Sequence, residues 1–159
     1  MWICPKCKQK FYNKNQSHSC GNFTVEDFLS GKSITAINLF HSFLKKYEQI
    51  GNFELHPVKT RVALLTKMRF ASINKLGNDY LDGHLVLTEL CEHATVFYKV
   101  DNLNDRFFVH HFRLYKTSDI NSALFQCMKQ SYDVGLRKHI ERKTPEKEKS
   151  AKTRIKKAR

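Results

Sequence analysis

The sequence predicts an α+β protein: an antiparallel sheet with helices packed on one face, preceded by a small zinc-binding arm. Three observations carry this. The pattern C-x2-C-x10-H-x-C lies within the first twenty residues, two stretches with helical apolar spacing flank the centre, and residues 53–115 read as short β-rich runs broken by turn residues.

The arm spans residues 1–23. Cys4-Pro5-Lys6-Cys7 is a metal knuckle, and His18 and Cys20 complete a set of three thiolates and one imidazole. Zinc favours four such ligands in a tetrahedron, and a filled set leaves no position for water or substrate, so the expected Zn2+ is structural. Trp2, Ile3, Phe11, Tyr12 and Phe23 are too few to form a core alone, so ligation is expected to supply most of the arm's folding free energy. A redox-active Cys pair fits less well, because no strand–helix context surrounds the motif. A disulfide framework in place of the arm's metal fits poorly with an odd Cys count and an expected cytoplasmic location; the other two of the five Cys, Cys91 and Cys127, are each expected to be a buried, inert thiol.

The body is expected to span residues 24–139. Thr24 followed by Glu26 and Asp27 marks a helix N-terminus, and Gly31 its end. Ile37, Phe40, Phe43, Leu44 and Tyr47 recur at three- and four-residue spacing and predict a helix over 33–50, stopped by Gly51. Strands are expected near 53–56, 60–66, 68–74, 80–88, 94–100 and 107–115. Their connections are too short for crossover helices, so neighbours must pair mostly antiparallel, with 76–79 as the clearest hairpin turn. Ile120, Leu124, Cys127, Met128 and Val134 predict a last helix starting near Ser118. From residue 140 to 159 almost nothing can be buried, and a disordered basic tail is expected.

No apolar run approaches the roughly 18 residues needed to cross a bilayer, and no signal-peptide core opens the chain. The formal net charge of +13 is unevenly placed: residues 1–20 carry +4, residues 137–159 carry +8, and the centre carries +1. Two basic ends on a nearly neutral body suit a polyanion, with nucleic acid the expected partner. No oligomeric state is implied.

Alternation sets His110 with Phe108, Phe112 and Leu114 on the core side of the last strand, and His111 with Arg113 on the other. The same rule puts His84 on the polar side of its strand. Lys59, Arg61, Arg69, His84, His111 and Arg113 are therefore the candidate ligand-binding residues, with Lys67 adding charge and Tyr80, Phe70 or Tyr115 offering a flat surface to a base. There is no phosphate loop, nucleophile elbow, H-E-x-x-H or carboxylate cluster, so no residue is assigned a catalytic role. Phosphodiester cleavage with His84 or His111 as general base and Lys59 or Arg113 on the developing charge is chemically conceivable.

The arm, the run Val25-Glu26-Asp27-Phe28, the segments Pro57–Arg61, Met68–Ala71 and Leu81–Leu85, and His110-His111-Phe112-Arg113 together resemble an uncharacterised bacterial family, domain of unknown function 5655. The resemblance covers about residues 2–139; it implies a common fold and boundary and brings no reaction, ligand or partner. The expected function is thus a small, non-enzymatic, nucleic-acid-associated zinc protein. An enzyme or small-ligand binder using the basic sheet face, for a phosphate or phosphodiester ligand, and a protein-interaction module are the alternatives.

Overall fold

The computed structural model of the 159-residue chain describes residues 1–18 and 20–141, so the expected basic tail lies outside the described residues from Arg142 onward. In the arm, β1 (Trp2–Ile3) pairs antiparallel with β2 (Lys10–Phe11). The body begins at Thr24, whose hydroxyl accepts the Asp27 N–H at 3.1 Å while the Asp27 carboxylate accepts the Thr24 N–H at 3.0 Å. This reciprocal cap starts α1 (Val25–Leu29). Gly31, at φ +73°, turns the chain, and Ser33 caps α2 (Ile34–Glu48).

Six strands follow: β3 (Glu54–Pro57), β4 (Val62–Leu65), β5 (Arg69–Leu76), β6 (Leu81–Leu87), β7 (Phe97–Leu103) and β8 (Phe107–Leu114). They form one sheet in the order β3-β4-β5-β6-β8-β7, with every pairing antiparallel. The β6–β7 connection, 88–96, carries the chain past the β8 position to the sheet edge. The β7–β8 hairpin then folds back, so β8 lies beside β6.

The last long helix starts later than its apolar spacing suggests. A single 3-10 turn, Thr117–Asp119, comes first, because the Asp119 carboxylate accepts the Tyr115 and Lys116 N–H groups at 2.8 and 3.1 Å. Asn121 then caps α3 (Ser122–Gly135), accepting the Leu124 N–H at 3.0 Å. A short helix, α4 (Lys138–Glu141), follows.

Helices α2 and α3 cover the β5–β6 centre of the sheet on one face. Phe40, Phe43, Leu85, Phe112, Leu124 and Met128 are all 0% exposed within this core. Inside it the Tyr47 hydroxyl and Ser131 Oγ stand 2.6 Å apart and Ser131 donates on to the Met128 carbonyl, tying α2 to α3. Burial pushes the Tyr47 hydroxyl far above its ordinary pKa, so it stays a neutral donor.

Gly83 faces this core beneath its cross-strand partner Phe112. A Cβ there would meet the Ser72 carbonyl oxygen at 2.5 Å and the Phe112 ring at 2.7 Å. We expect Gly83→Ala to destabilise the body by about 1–3 kcal/mol, the range for overpacking; a denaturant midpoint equal to that of the unmodified chain would contradict this.

Successive cross-strand partners place His56, Ala63, Ser72, His84, His111 and Lys99 in one row across all six strands. Because side chains alternate, this row lies on the face away from the helices. The arm and the polar residues meet there.

Candidate metal centre and basic surface

The knuckle is closed by backbone: the Lys8 N–H donates to the Cys4 carbonyl and the Cys4 N–H to the Gln9 carbonyl, each at 2.9 Å. This loop and the segment around His18 bring Cys4, Cys7, His18 and Cys20 together, their ligand atoms all within 4.8 Å of one another. Cys4 Sγ and Cys20 Sγ are 3.8 Å apart, and Cys7 Sγ lies 3.3 Å from His18 Nε2. The His18 Nδ1–H donates to the Gln16 carbonyl at 2.7 Å, which fixes the tautomer and leaves the Nε2 lone pair facing the sulfurs.

The Cys7 backbone N–H is the main reason the Cys4 thiol is pushed down to about 6, against the effect of burial. Cys20 is pushed up to about 11, first by burial and then by the neighbouring sulfurs of Cys7 and Cys4. Thiols gathered this closely oppose one another's ionisation, and a cation between them removes that conflict. The four residues therefore form a group able to hold one metal ion.

The arm is docked on the body. Phe11, 2% exposed, stacks on His18 at 4.1 Å between ring centroids and touches the His56 ring, while the Arg69 guanidinium lies over its face at 4.9 Å. The Gln9 side chain donates to the Pro57 carbonyl and accepts from His56 Nε2–H; His56 Nδ1 accepts from Arg69. At the other flank Arg137 donates to the Tyr12 hydroxyl at 2.9 Å and lies over its ring.

Where arm and body meet there is a cavity of about 360 Å³. Lys10, Lys67, Arg69, Arg106 and Arg137 line it together with Phe11, Tyr12 and Phe107, and among the described residues no carboxylate does. It brings Lys10 of the first basic stretch together with Arg137, the first residue of the last one, with Ile140 also on its wall. Of its cations, Arg69 belongs to the expected ligand set. Lys10, Arg106 and Arg137 do not; the end-weighted charge was the available signal for Lys10 and Arg137, and nothing local distinguishes Arg106.

The six expected ligand residues are only partly brought together. The His84 and His111 rings meet, 5.8 Å between centroids. Arg61, on the β3–β4 turn, is close enough to help lower the pKa of His56, Arg69 and His84. Lys59 stands exposed on the same turn. Arg113 is committed elsewhere, forming a two-pronged ion pair with Asp82 at 2.7 and 2.9 Å and lying over the Tyr80 ring. His111 Nε2 is 2.8 Å from the Asp101 carboxylate. Phe70 is not available to a base: it is 0% exposed and packs on Tyr47 and Tyr132. His110 is also fully buried, accepting the Cys91 N–H at 3.0 Å on Nε2 and donating Nδ1–H to the Phe108 carbonyl.

Burial, the His111 ring and the Arg61 charge push His84 down to about 4, and Asn74 occupies its Nδ1 lone pair. That makes His84 a weak proton acceptor at neutral pH. Burial, reinforced by Arg69, likewise pushes His56 down to about 4. Between pH 6.5 and 4 the unfolded chain protonates both rings and the folded chain does not. Stability is therefore complete above about pH 6.5 and falls as the pH is lowered toward 4, by at most about 1.4 kcal/mol per pH unit for each ring. Urea titrations across that interval should show the loss, and His84→Gln should shrink it.

The two body cysteines are not the separate thiols expected from the sequence. Cys91 and Cys127 are joined in a disulfide, brought together because 88–96 packs against α3. Among the described residues no helix is long and apolar enough to cross a membrane. Comparison with protein-family models, with curated proteins and with solved structures found no match for this chain.

Proposed function

We propose that the protein is a non-enzymatic, zinc-containing, nucleic-acid-binding protein in which a structural zinc ion folds the arm and the docked arm completes a phosphate-binding cavity. Membership of the domain of unknown function 5655 family is part of this reading. Three thiolates and an imidazole are a soft donor set that favours zinc over magnesium or calcium. Two sulfurs each about 2.3 Å from a tetrahedral ion stand about 3.8 Å apart, the separation of Cys4 and Cys20.

The single observation supporting nucleic acid is the cavity, which among the described residues is lined by five Lys and Arg side chains and three aromatic rings and by no carboxylate. Cations hold phosphate oxygens in any sequence, and Tyr12, 56% exposed, offers a ring on which a base can stack. The test is titration of a labelled mixed-sequence single-stranded oligonucleotide with the zinc-loaded chain at several salt concentrations. With three to five phosphates neutralised, log K should fall against log salt with a slope of roughly −2 to −3.5. Absence of binding at low salt, or affinity indifferent to salt, would sink the reading. The cavity's size also favours a second reading, a single phosphorylated small molecule; a mononucleotide that binds as tightly as the oligonucleotide would select it.

A further inference from the structure

The Cys91–Cys127 pair has a third member. His93 lies two residues after Cys91 on the 88–96 connection, and its ring reaches both sulfurs. Its Nε2 is 3.6 Å from Cys91 Sγ and 3.7 Å from Cys127 Sγ, and the ligand atoms of the three residues all lie within 4.8 Å of one another. The sulfurs are shielded, Cys91 at 8% and Cys127 at 0% exposure, whereas His93 is exposed and closes the cluster on its solvent side.

Two features argue that the pair is more than a staple. First, the cluster is held without the sulfur–sulfur bond. Cys91 is fixed by its N–H bond to the buried His110, and Cys127 by its place on the core side of α3. Opening the disulfide therefore leaves both thiols facing each other. Second, the Cα atoms are 6.8 Å apart, at the wide end of the roughly 4.4–6.8 Å usual for disulfides, so the backbone leaves room for a larger bridge. A dithiol with an imagined apolar neighbour would be inert; a dithiol with an imidazole at 3.6–3.7 Å has the donors and spacing of a zinc-type site, where sulfur and nitrogen ligands stand about 3.5 Å apart.

We propose that Cys91, His93 and Cys127, in the reduced protein, form a second metal site for a thiophilic divalent cation of the zinc class, and that the disulfide is its oxidised, metal-free form. Two molecules of a thiol reductant transfer two electrons to the disulfide, giving two cysteine thiols and one reductant disulfide. The cation then displaces both thiol protons and accepts the neutral imidazole lone pair. Two thiolates balance its charge, and the fourth position opens to solvent beside His93, unlike the closed set of the arm. Binding would cross-link the β6–β7 connection to α3 only under reducing conditions.

The experiment is a zinc count on the full chain, by metal analysis after gel filtration and by competition with a chromophoric chelator. Reduced protein should hold two equivalents, and protein kept in its disulfide form one. Cys7→Ser should remove the arm's equivalent and spare the other. His93→Ala, at an exposed position that leaves both thiols in place, should weaken only the second equivalent, by at least tenfold, and still allow the disulfide to form. The proposal is overturned if reduced protein holds no more zinc than protein kept in its disulfide form, if the second equivalent survives His93→Ala unweakened, or if the disulfide cannot be reduced while the chain stays folded.

Discussion

Stripping zinc from the arm is expected to unfold residues 1–23 and to leave the six-stranded body intact. The arm's sheet is two residues deep on each strand, and a two-stranded ribbon alone is marginal at best in water. Its buried apolar content amounts to Cys4 and Phe11, whereas ligation of a structural zinc supplies apparent free energies of about 10–16 kcal/mol in small finger domains. The body's core cluster runs from Ala36 to Tyr132 and includes no arm residue, so it does not depend on the metal. The chain's one tryptophan, Trp2, lies in the arm and stacks near Phe11 and His18. Chelation should shift its emission toward that of a solvated indole while the helical circular dichroism persists, and Cys7→Ser should reproduce the effect. An unchanged Trp2 signal after complete zinc removal would refute it. Phe11→Ala separates folding from docking: truncating a buried Phe costs about 3–5 kcal/mol, so the arm should detach even with metal bound.

The second large effect concerns the cavity. Arg106→Ala with Arg137→Ala removes two of its five cations and should weaken oligonucleotide binding for every sequence alike, cutting the salt slope by about 1.4. Lys46 and Lys129, which both lie over the Phe125 ring on the helical side, provide the control. Replacing them by Ala should leave the affinity unchanged, and an equal loss would show that the cavity is not the contact surface. Removing residues 142–159 takes away a further net +7 and should weaken binding while a salt-dependent remainder persists. Complete loss would assign all of the affinity to that segment and none to the cavity.

Much of the architecture was legible because it is encoded locally. Three- and four-residue spacing from Ile37 to Tyr47 marked α2, and Thr24 with Asp27 marked its predecessor, since a helix and its cap are set by residues within a turn of each other. Alternation in β6 and β8 separated Leu85 and Phe112 from His84 and His111, because a strand has a fixed period of two. The ligand group Cys4, Cys7, His18 and Cys20 was readable for the same reason: donor type and spacing alone limit what can surround an ion.

What sequence patterns left open depends on contacts between distant segments. Periodicity assigns a side chain to a face but not to a neighbour, so it could place Arg113 and His111 outward and leave open whether nearby acids such as Asp82 pair with them; the structure puts Asp82 on Arg113 and Asp101 on His111. It marked 68–74 as a strand, yet the helices decide that Phe70 packs beneath Tyr47 and Tyr132. Strand order is equally non-local: the path of 88–96 puts β8 beside β6 and carries Cys91 and His93 to Cys127. The sequence by itself determined the element types, the faces and the arm's donor set, all consequences of short-range geometry. Only the tertiary structure decided that Lys10 of the arm and Arg106 and Arg137 of the body meet at a single cavity, because that depends on the arm docking through Phe11, Gln9 and Tyr12 onto the folded body.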